Sequence, residues 1–532
     1  MTGVYENLLP LDFIVVAVYL VLLILLGYWF SHMHRSKSSE QLFLAGRSLK
    51  WPSIGLTMWG TNVGPSMLIA SASIGYTSGI VAGNFGWYAF VFIFLLAVFF
   101  APRYLGAGVQ TLPEFMGRRF GDSTRTILAW YSIVTILVSW LALTLYAGGI
   151  LVAQVLNLPL WVAVILLLLI AVFFTIAGGL KVIAFTNVFQ MGLLILVSLA
   201  LTIVGIGKVG GITALFEAAP AHYWNLLRPM DDPDYPWLAI LLGYPVMGIW
   251  FWCTDQSMVQ SVLGAKNLKQ GQLGAHFTGW LKILDVALFI IPGILCFLLF
   301  PDLGDPDAAY MTMVTGLFPA GMTGLVIAVL IAALISTIDS ALNSLSTVFT
   351  IDIYKKQMNP LAQGKELVLV GRLITLVGAA LAVLLTFAIN NIQGLNLFDI
   401  FQAVLSFLAP PMAVVFLFGV LANWMTSRAA KFTLTVGTFI SLTTGVLYLW
   451  VLPADEHHFW PHFLLLSFYL FLLLSALAGL ISWFWPVEKE SMQVGGKERG
   501  RLVPVFANPQ QRWLWLLLFV VMFFLYWLFN GH

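Results

Sequence analysis

Runs of about twenty apolar residues recur along the whole chain, separated by short stretches where charges and turn-forming residues collect. The pattern predicts helices at roughly 11–31, 51–80, 84–101, 124–155, 158–177, 182–207, 237–262, 274–300, 321–354, 365–389, 396–421, 428–451, 460–485 and 511–530. Crossing ~30 Å of hydrocarbon takes roughly 20 residues in a helix. Backbone polar groups left unpaired in lipid are costly, so apolar runs of this length must be helical. The expectation is an all-α integral membrane protein with about fourteen transmembrane helices.

The charges give an independent check on that count. With the N-terminus outside, every Lys and Arg but three falls in an inside connection. Lys208 and Arg228 fall outside, and Lys282 falls within a span. The outside connections are acidic instead, with Asp231, Asp232 and Asp234, then Asp302, Asp305 and Asp307, then Asp455 and Glu456. One missed or invented helix would scramble the sorting downstream of it. The bias therefore supports fourteen helices with both termini extracytoplasmic, in the plasma membrane.

Composition agrees, with 60% hydrophobic and 9% charged residues, against about 25% charged in soluble domains. No polar segment is large enough for a soluble domain. A net charge of +2 carries no nucleic-acid signal, and no obligate protein partner is expected beside the lipid bilayer. Cys253 and Cys296 both sit in apolar runs, which is no disulfide framework. Trp513 and Trp515 open the last run as interfacial anchors would. The run Leu11 to Phe30 is too long for a signal-peptide core and reads as a retained helix. The polar stretch from Val487 to Gln511 reads as a solvated linker.

Several runs are too irregular to be plain anchors. The second contains Gly60-Thr61-Asn62-Val63-Gly64-Pro65-Ser66. Proline removes a donor and clashes one turn back, and glycine weakens the helix further. The seventh carries Gly243-Tyr244-Pro245 through Gly248, followed by Thr254-Asp255-Gln256-Ser257, and the eleventh carries Ala409-Pro410-Pro411. Interrupted spans at corresponding places in two halves point to a transporter's binding site. Spans two and seven are five helices apart, which predicts a five-plus-five inverted repeat. One proline kink with no ligand is common in membrane helices; two at matching positions are less so.

The ninth run holds the densest polar pattern. Ser336, Asp339, Ser340 and Asn343 recur at three- and four-residue spacing and share one helix face. A lone serine would be satisfied by the carbonyl one turn back. Four polar groups with a carboxylate among them exceed that need. Hydroxyls and freed carbonyls are the oxygen ligands a hard cation prefers, and an intramembrane carboxylate is a functional hypothesis by default.

With these residues the sequence resembles the sodium/solute symporter family, and in particular its sodium/sugar branch. The resemblance runs along nearly the whole chain. It rests on Leu11-Asp12-Phe13, the stretch Gln41 to Leu49 with Phe43-Leu44-Ala45-Gly46, and Thr111-Leu112-Pro113-Glu114-Phe115. It continues through Ala177-Gly178-Gly179-Leu180, Leu342-Asn343-Ser344 and Asp352-Ile353-Tyr354-Lys355. It implies a single transporter domain over residues 1–532, made of a leading helix (11–31), a ten-helix core (51–421) and three trailing helices (428–530). It also implies a sodium site formed by carbonyls of Gly60, Val63 and Ala333 and hydroxyls of Ser336 and Thr337, with sodium as the coupling ion and no organic cofactor.

The solute residues carry over less completely. The sugar branch has Gln and Glu where this chain has Met67 and Gly86, and its Asn and Tyr positions are Asp255 and Ser257 here. Lys282 and Gln402 match. The expected solute pocket is Met67, Asp255, Lys282 and Gln402, for a sugar or polyol, with an anionic or partly apolar solute as the other candidate. Asn187 stands where the family frequently has Asp, so a second cation site would draw its carboxylate from Asp339, beside Ser340 and Asn187. Lys282 and Asp285, three residues apart, either neutralise each other or leave Lys282 to reach Asp255 or the solute. Asp399 reads as a helix N-cap.

The expected activity is sodium-coupled symport of a small polar organic solute by alternating access. A proton-coupled carrier using Asp339 or Asp255 is the alternative. An enzyme would need a nucleophile with its base, or a metal cluster, and the eight histidines show no such spacing with carboxylates inside a span. A transporter-like sensor would need a partner or a signalling domain.

Overall fold

The computed structural model describes residues 8–33, 38–390, 397–454, 456–457, 459–486, 506 and 508–530. Among these, helices are joined by short connections, and the only bridges are isolated ones, Leu49 with Ala265 and Arg228 with Pro236.

Among the described residues, twelve helical stretches are long and apolar enough to cross a membrane. Two of them fold back on themselves, which restores the fourteen passes. In the stretch Leu160–Val209, Gly179 leaves helical geometry at φ 57, ψ −154. A Cβ there would lie 2.1 Å from the Leu42 carbonyl oxygen, so only glycine fits the corner. Both arms run along α1 (Pro10–Met33). Ser31 donates to Ala177 O at 2.7 Å on the first arm, while Phe185 stacks on Phe30 and Phe189 on Tyr19 along the second. In Met67–Ala107 the turn is Gly79, at φ 78 and pressed against the Tyr223 backbone.

Past a short helix α2 (Ser39–Leu44), the core helices are as follows. α3 is Trp51–Asn62, α4 is Pro65–Ser78 and α5 covers 83–107. α6 is Leu112–Phe120 and α7 is Asp122–Leu156. The two arms around Gly179 are α8 (160–178) and α9 (180–209). The second half starts with α10 (Trp237–Thr254) and α11 (Gln256–Leu263), followed by α12 (Leu268–Leu299). α13 is Met322–Met358, α14 Lys365–Asn390 and α15 Leu397–Leu421. The trailing helices are α16 (Ser427–Val451), α17 (Phe463–Phe484) and α18 (Gln510–Leu528). Each half opens with an interrupted helix, so the five-plus-five arrangement holds.

The prolines end up in places other than the sequence suggested. Pro245 lies inside α10, and the seventh span breaks ten residues later, at Asp255. Pro410 and Pro411 lie inside a continuous α15. Both helices continue because the carbonyls freed one turn back find other donors. Tyr88 donates its hydroxyl to Leu241 O (3.3 Å), four residues before Pro245. Ser441 donates to Phe407 O (2.6 Å), four before Pro411.

α13 is the axis of the bundle. From Val326 to Val348 every residue is buried, so its polar stripe faces protein on all sides. Its N-terminus is held by Asp12 of α1, whose Oδ1 accepts Gly321 N (2.7 Å) and Gly324 N (2.8 Å). The basic connections gather at one end of the bundle. There Arg125 pairs with Asp352 at 2.6 Å, Arg47 donates to Gly108 O at 2.8 Å, and Lys266 N donates to Leu49 O at 2.9 Å. The opposite end joins Tyr76 to Pro301 O (2.7 Å), Asn84 to Leu226 O (2.6 Å) and His462 to Asp234 O (3.0 Å). The charge sorting thus corresponds to two ends of one bundle.

Candidate functional site

Two helices stop inside their spans. α3 ends at Asn62, Val63 and Gly64 are non-helical (ψ 71 and ψ 157), and Pro65 starts α4. Pro65 supplies no N–H to the Thr61 carbonyl and drives Gly64 into extended backbone. α10 ends at Thr254, and Asp255 (φ −78, ψ 129) caps α11. Asp255 Oδ1 accepts Ser257 N (2.8 Å) and Met258 N (3.2 Å), and Oδ2 accepts Trp140 Nε1 (3.2 Å). Wide π-type turns flank the second break and its neighbours, at Trp250–Thr254, Val286–Ile290 and Ile136–Ala142. Similar turns also occur away from the breaks, at Leu96–Phe100, Phe349–Met358, Thr433–Gly437 and Leu447–Val451.

One buried side chain ties the two breaks together. Lys282 Nζ donates to Asn62 Oδ1 at the end of α3 (2.7 Å) and to Asp285, and it lies 5.7 Å from the Trp252 ring centre, just before the Asp255 break. Asp285 Oδ1 accepts Trp59 Nε1 at 2.8 Å. Lys282 therefore pairs with Asp285, and Asp255 is occupied as a cap on its own helix. Met67 is half-buried in the first turn of α4. The side chain of Gln402 lies outside the described residues.

Beside the first break, α13 presents its polar face. Thr337 Oγ1 lies within 3.4 Å of Thr61 O, the carbonyl that Pro65 leaves without its helical donor, and within 3.3 Å of Ala333 O. Thr61 Oγ1 lies 3.2 Å from Ser340 Oγ. The Ser336 hydroxyl is buried and has no hydrogen-bond partner. Gly60 and Val63 flank Thr61; Gly60 packs closely on Met191 of α9, and Val63 is fully buried with its N–H on Trp59 O (2.9 Å). The last carbonyls of an interrupted helix lack intrahelical donors. The Thr337 hydroxyl and the Thr61 and Ala333 carbonyls thus meet at the first break, oxygen groups of the kind a hard cation prefers.

Further unsatisfied buried atoms lie on α9 and on α13. Asp339 Oδ1 accepts Ser340 Oγ (3.3 Å), but Oδ2 has no partner. Neither amide atom of Asn187 or of Gln190 has one, and Asn343 Nδ2 and Ser344 Oγ are also unpaired. All five residues are buried. Buried polar atoms are hydrogen-bonded as a rule, because leaving them bare costs free energy. Sequence reasoning missed Trp59, Trp140 and Gln190; Thr61 and Asn62 were inside the breaker-rich run, where their neighbours drew the attention.

The family model of the sodium:solute symporter family matches residues 42–437. This chain belongs to that family. Sodium/glucose cotransporter 4 of Danio rerio is 32% identical over 471 residues, covering 82% of this chain and 72% of that protein. Sodium/myo-inositol cotransporter 2 of Oryctolagus cuniculus is 31% identical over 485 residues, covering 84% of this chain and 72% of the relative. Among solved structures, a Na+-coupled sialic acid symporter in a substrate-bound outward-open state superposes with TM-score 0.76 at 20% identity, covering 89% of this chain and 98% of that one. A nucleobase-cation-symport-1 family transporter does so with TM-score 0.57 at 14% identity. The fold is thus shared with these carriers. The chain is a sodium-coupled secondary symporter, not an enzyme, and sodium is its coupling ion.

Proposed function

We propose that this symporter imports a small polar solute of the sugar or polyol class across the plasma membrane, with both termini extracytoplasmic. The substrate class is supported by relatives named for glucose and myo-inositol, and the orientation by basic connections sharing one end of the bundle. The transport unit is the ten-helix core over 51–421, with 11–31 leading and 428–530 trailing. Sodium binds where the α3 break meets α13, through Ser336, Thr337, Ala333 and the Gly60–Val63 backbone. A second cation is held by Asp339, Ser340 and Asn187. The solute occupies the space between the two breaks near Met67, Asp255, Lys282 and Gln402.

Coupling follows from that layout. An ion that joins the α3 end to α13 fixes the position of Asn62, and Asn62 holds Lys282 at the solute site. Ion and solute then favour each other's binding by the same factor. The observation that carries this reading is the buried Ser336 hydroxyl without a partner, beside the Thr337–Thr61 contact. Ser336→Ala and Thr337→Ala should abolish sodium-stimulated uptake in proteoliposomes while leaving the protein folded. Undiminished sodium stimulation in both variants would overturn the assignment.

A further inference from the structure

Asp285 is a buried charge that the proposed cation sites do not use. Lys282, which pairs with it, is buried too. A pair three residues apart on a helix that served only to cancel charge could face any neighbour. This one faces the two interrupted helices: Lys282 reaches Asn62 and the Trp252 ring, and Asp285 reaches Trp59. On the α5 side stands Gly86, where a Cβ would come within 3.3 Å of Asp285 Oδ2, so that position puts no side chain against the carboxylate.

A count of valences gives the chemistry. An ammonium carries three protons. One goes to Asn62 and one to Asp285, which leaves a third. An ionised carboxylate has about four lone-pair sites. Trp59 and Lys282 take one each, which leaves two beside the free ammonium proton. A donor and an acceptor side by side, with no net charge, match two adjacent hydroxyls of a neutral solute. One hydroxyl donates to Asp285 and the next accepts from Lys282. An anionic solute would bring its charge against the Asp285 carboxylate, and Lys282 is already neutralised.

We infer that the Lys282–Asp285 pair is the charge filter of the solute site, and that Asp285 restricts transport to uncharged solutes bearing vicinal hydroxyls. This rests on the sugar-or-polyol reading above and removes the anionic alternative from it. An uncompensated lysine would reverse the preference, because it attracts carboxylates and has lost the acceptor for a donated hydroxyl.

The test uses the full chain in proteoliposomes under an inward sodium gradient. Unlabelled glucose, myo-inositol and gluconate compete for uptake of whichever neutral probe is carried. In the wild type a neutral competitor should be at least ~10-fold more potent than gluconate, and Asp285→Asn should shrink that ratio by ~10-fold or more, with Asp285→Glu restoring it. A merely structural pair would lower total uptake and leave the ratio unchanged. Gluconate competing as well as the neutral solutes in the wild type would overturn the inference, as would an unchanged ratio in Asp285→Asn. The wild-type ratio decides the matter even if Asp285→Asn fails to fold. Sodium-driven uptake of gluconate alone would sink the filter and leave sodium coupling intact. If none of the three probes is carried, the sugar-or-polyol reading fails, and the filter fails with it.

Discussion

Single residues are where this structure departs most from a simple lipid-facing bundle. Asp339 has one carboxylate oxygen bonded to Ser340 and the other to nothing, and the buried amide of Asn187 is equally bare. If these residues hold a second cation, Asp339→Asn should lower the number of sodium ions moved per solute by one, read as a drop in the Hill coefficient for sodium-dependent uptake. An unchanged coefficient would remove Asp339 from the cation sites. His462 makes a different kind of prediction. Its Nδ1 accepts Leu464 N at the start of α17, and its Nε2 bonds Asp234 O, which requires a neutral ring protonated on Nε2. Burial lowers its pKa to about 4, below the ~6.5 of an unfolded histidine. The folded state therefore takes up its proton later than the unfolded one. The stability that neutral His462 preserves is intact above pH ~6.5 and lost as pH falls toward 4. His462→Asn keeps a capping acceptor that does not titrate, so its melting temperature should fall less than the wild type's between pH 7 and 4.5. Parallel curves would show that the ring is not the acid-sensitive group.

Helices in this protein tolerate prolines when another helix takes over the freed carbonyl. The Ser441 bond to Phe407 O does this for Pro411. Ser441→Ala should cost about 1–3 kcal/mol by leaving a buried carbonyl bare. In a Pro411→Ala background the backbone supplies the missing donor, and most of that cost should vanish. Additive effects in this double-mutant cycle would mean that the hydroxyl contributes something else. The same mechanism explains what was legible beforehand and what was not. The prolines announced irregular backbone, and Gly60 to Ser66 did become a break. Pro245 and Pro410–Pro411 did not, because the compensating Tyr88 and Ser441 lie on helices distant in sequence. Asp255 broke the second helix through a short-range cap, a signal present in Asp255-Gln256-Ser257 but overshadowed by the nearby proline. Helix number was legible because lipid imposes a fixed length and charge sorting repeats the count. The Lys282–Asp285 choice was visible as an alternative, but its outcome depends on Asn62 and Trp59, more than 200 positions away.

For the whole molecule, the basic end is where the segment after the second break is fastened to other helices. Gln260 of α11 donates to Phe43 O (2.8 Å) and Thr347 Oγ1 (2.7 Å), Gln256 accepts Leu112 N (2.9 Å), and Arg125 holds Asp352. The glutamine bonds fasten the segment after the second break to α2, α6 and α13, and the Arg125 pair joins α7 to α13. In the proposed layout sodium at the first break and solute at Lys282 act on opposite sides of Asn62, and the sodium gradient is the energy source for solute accumulation. A membrane potential adds ~2.3 kcal/mol per charge per 100 mV. The most direct test is accumulation of labelled glucose or myo-inositol in proteoliposomes under an inward sodium gradient, with the gradient then collapsed by a sodium ionophore. The account predicts concentration above the external level while the gradient stands, and efflux to equilibrium when it is lost. Equal accumulation with potassium replacing sodium would contradict it.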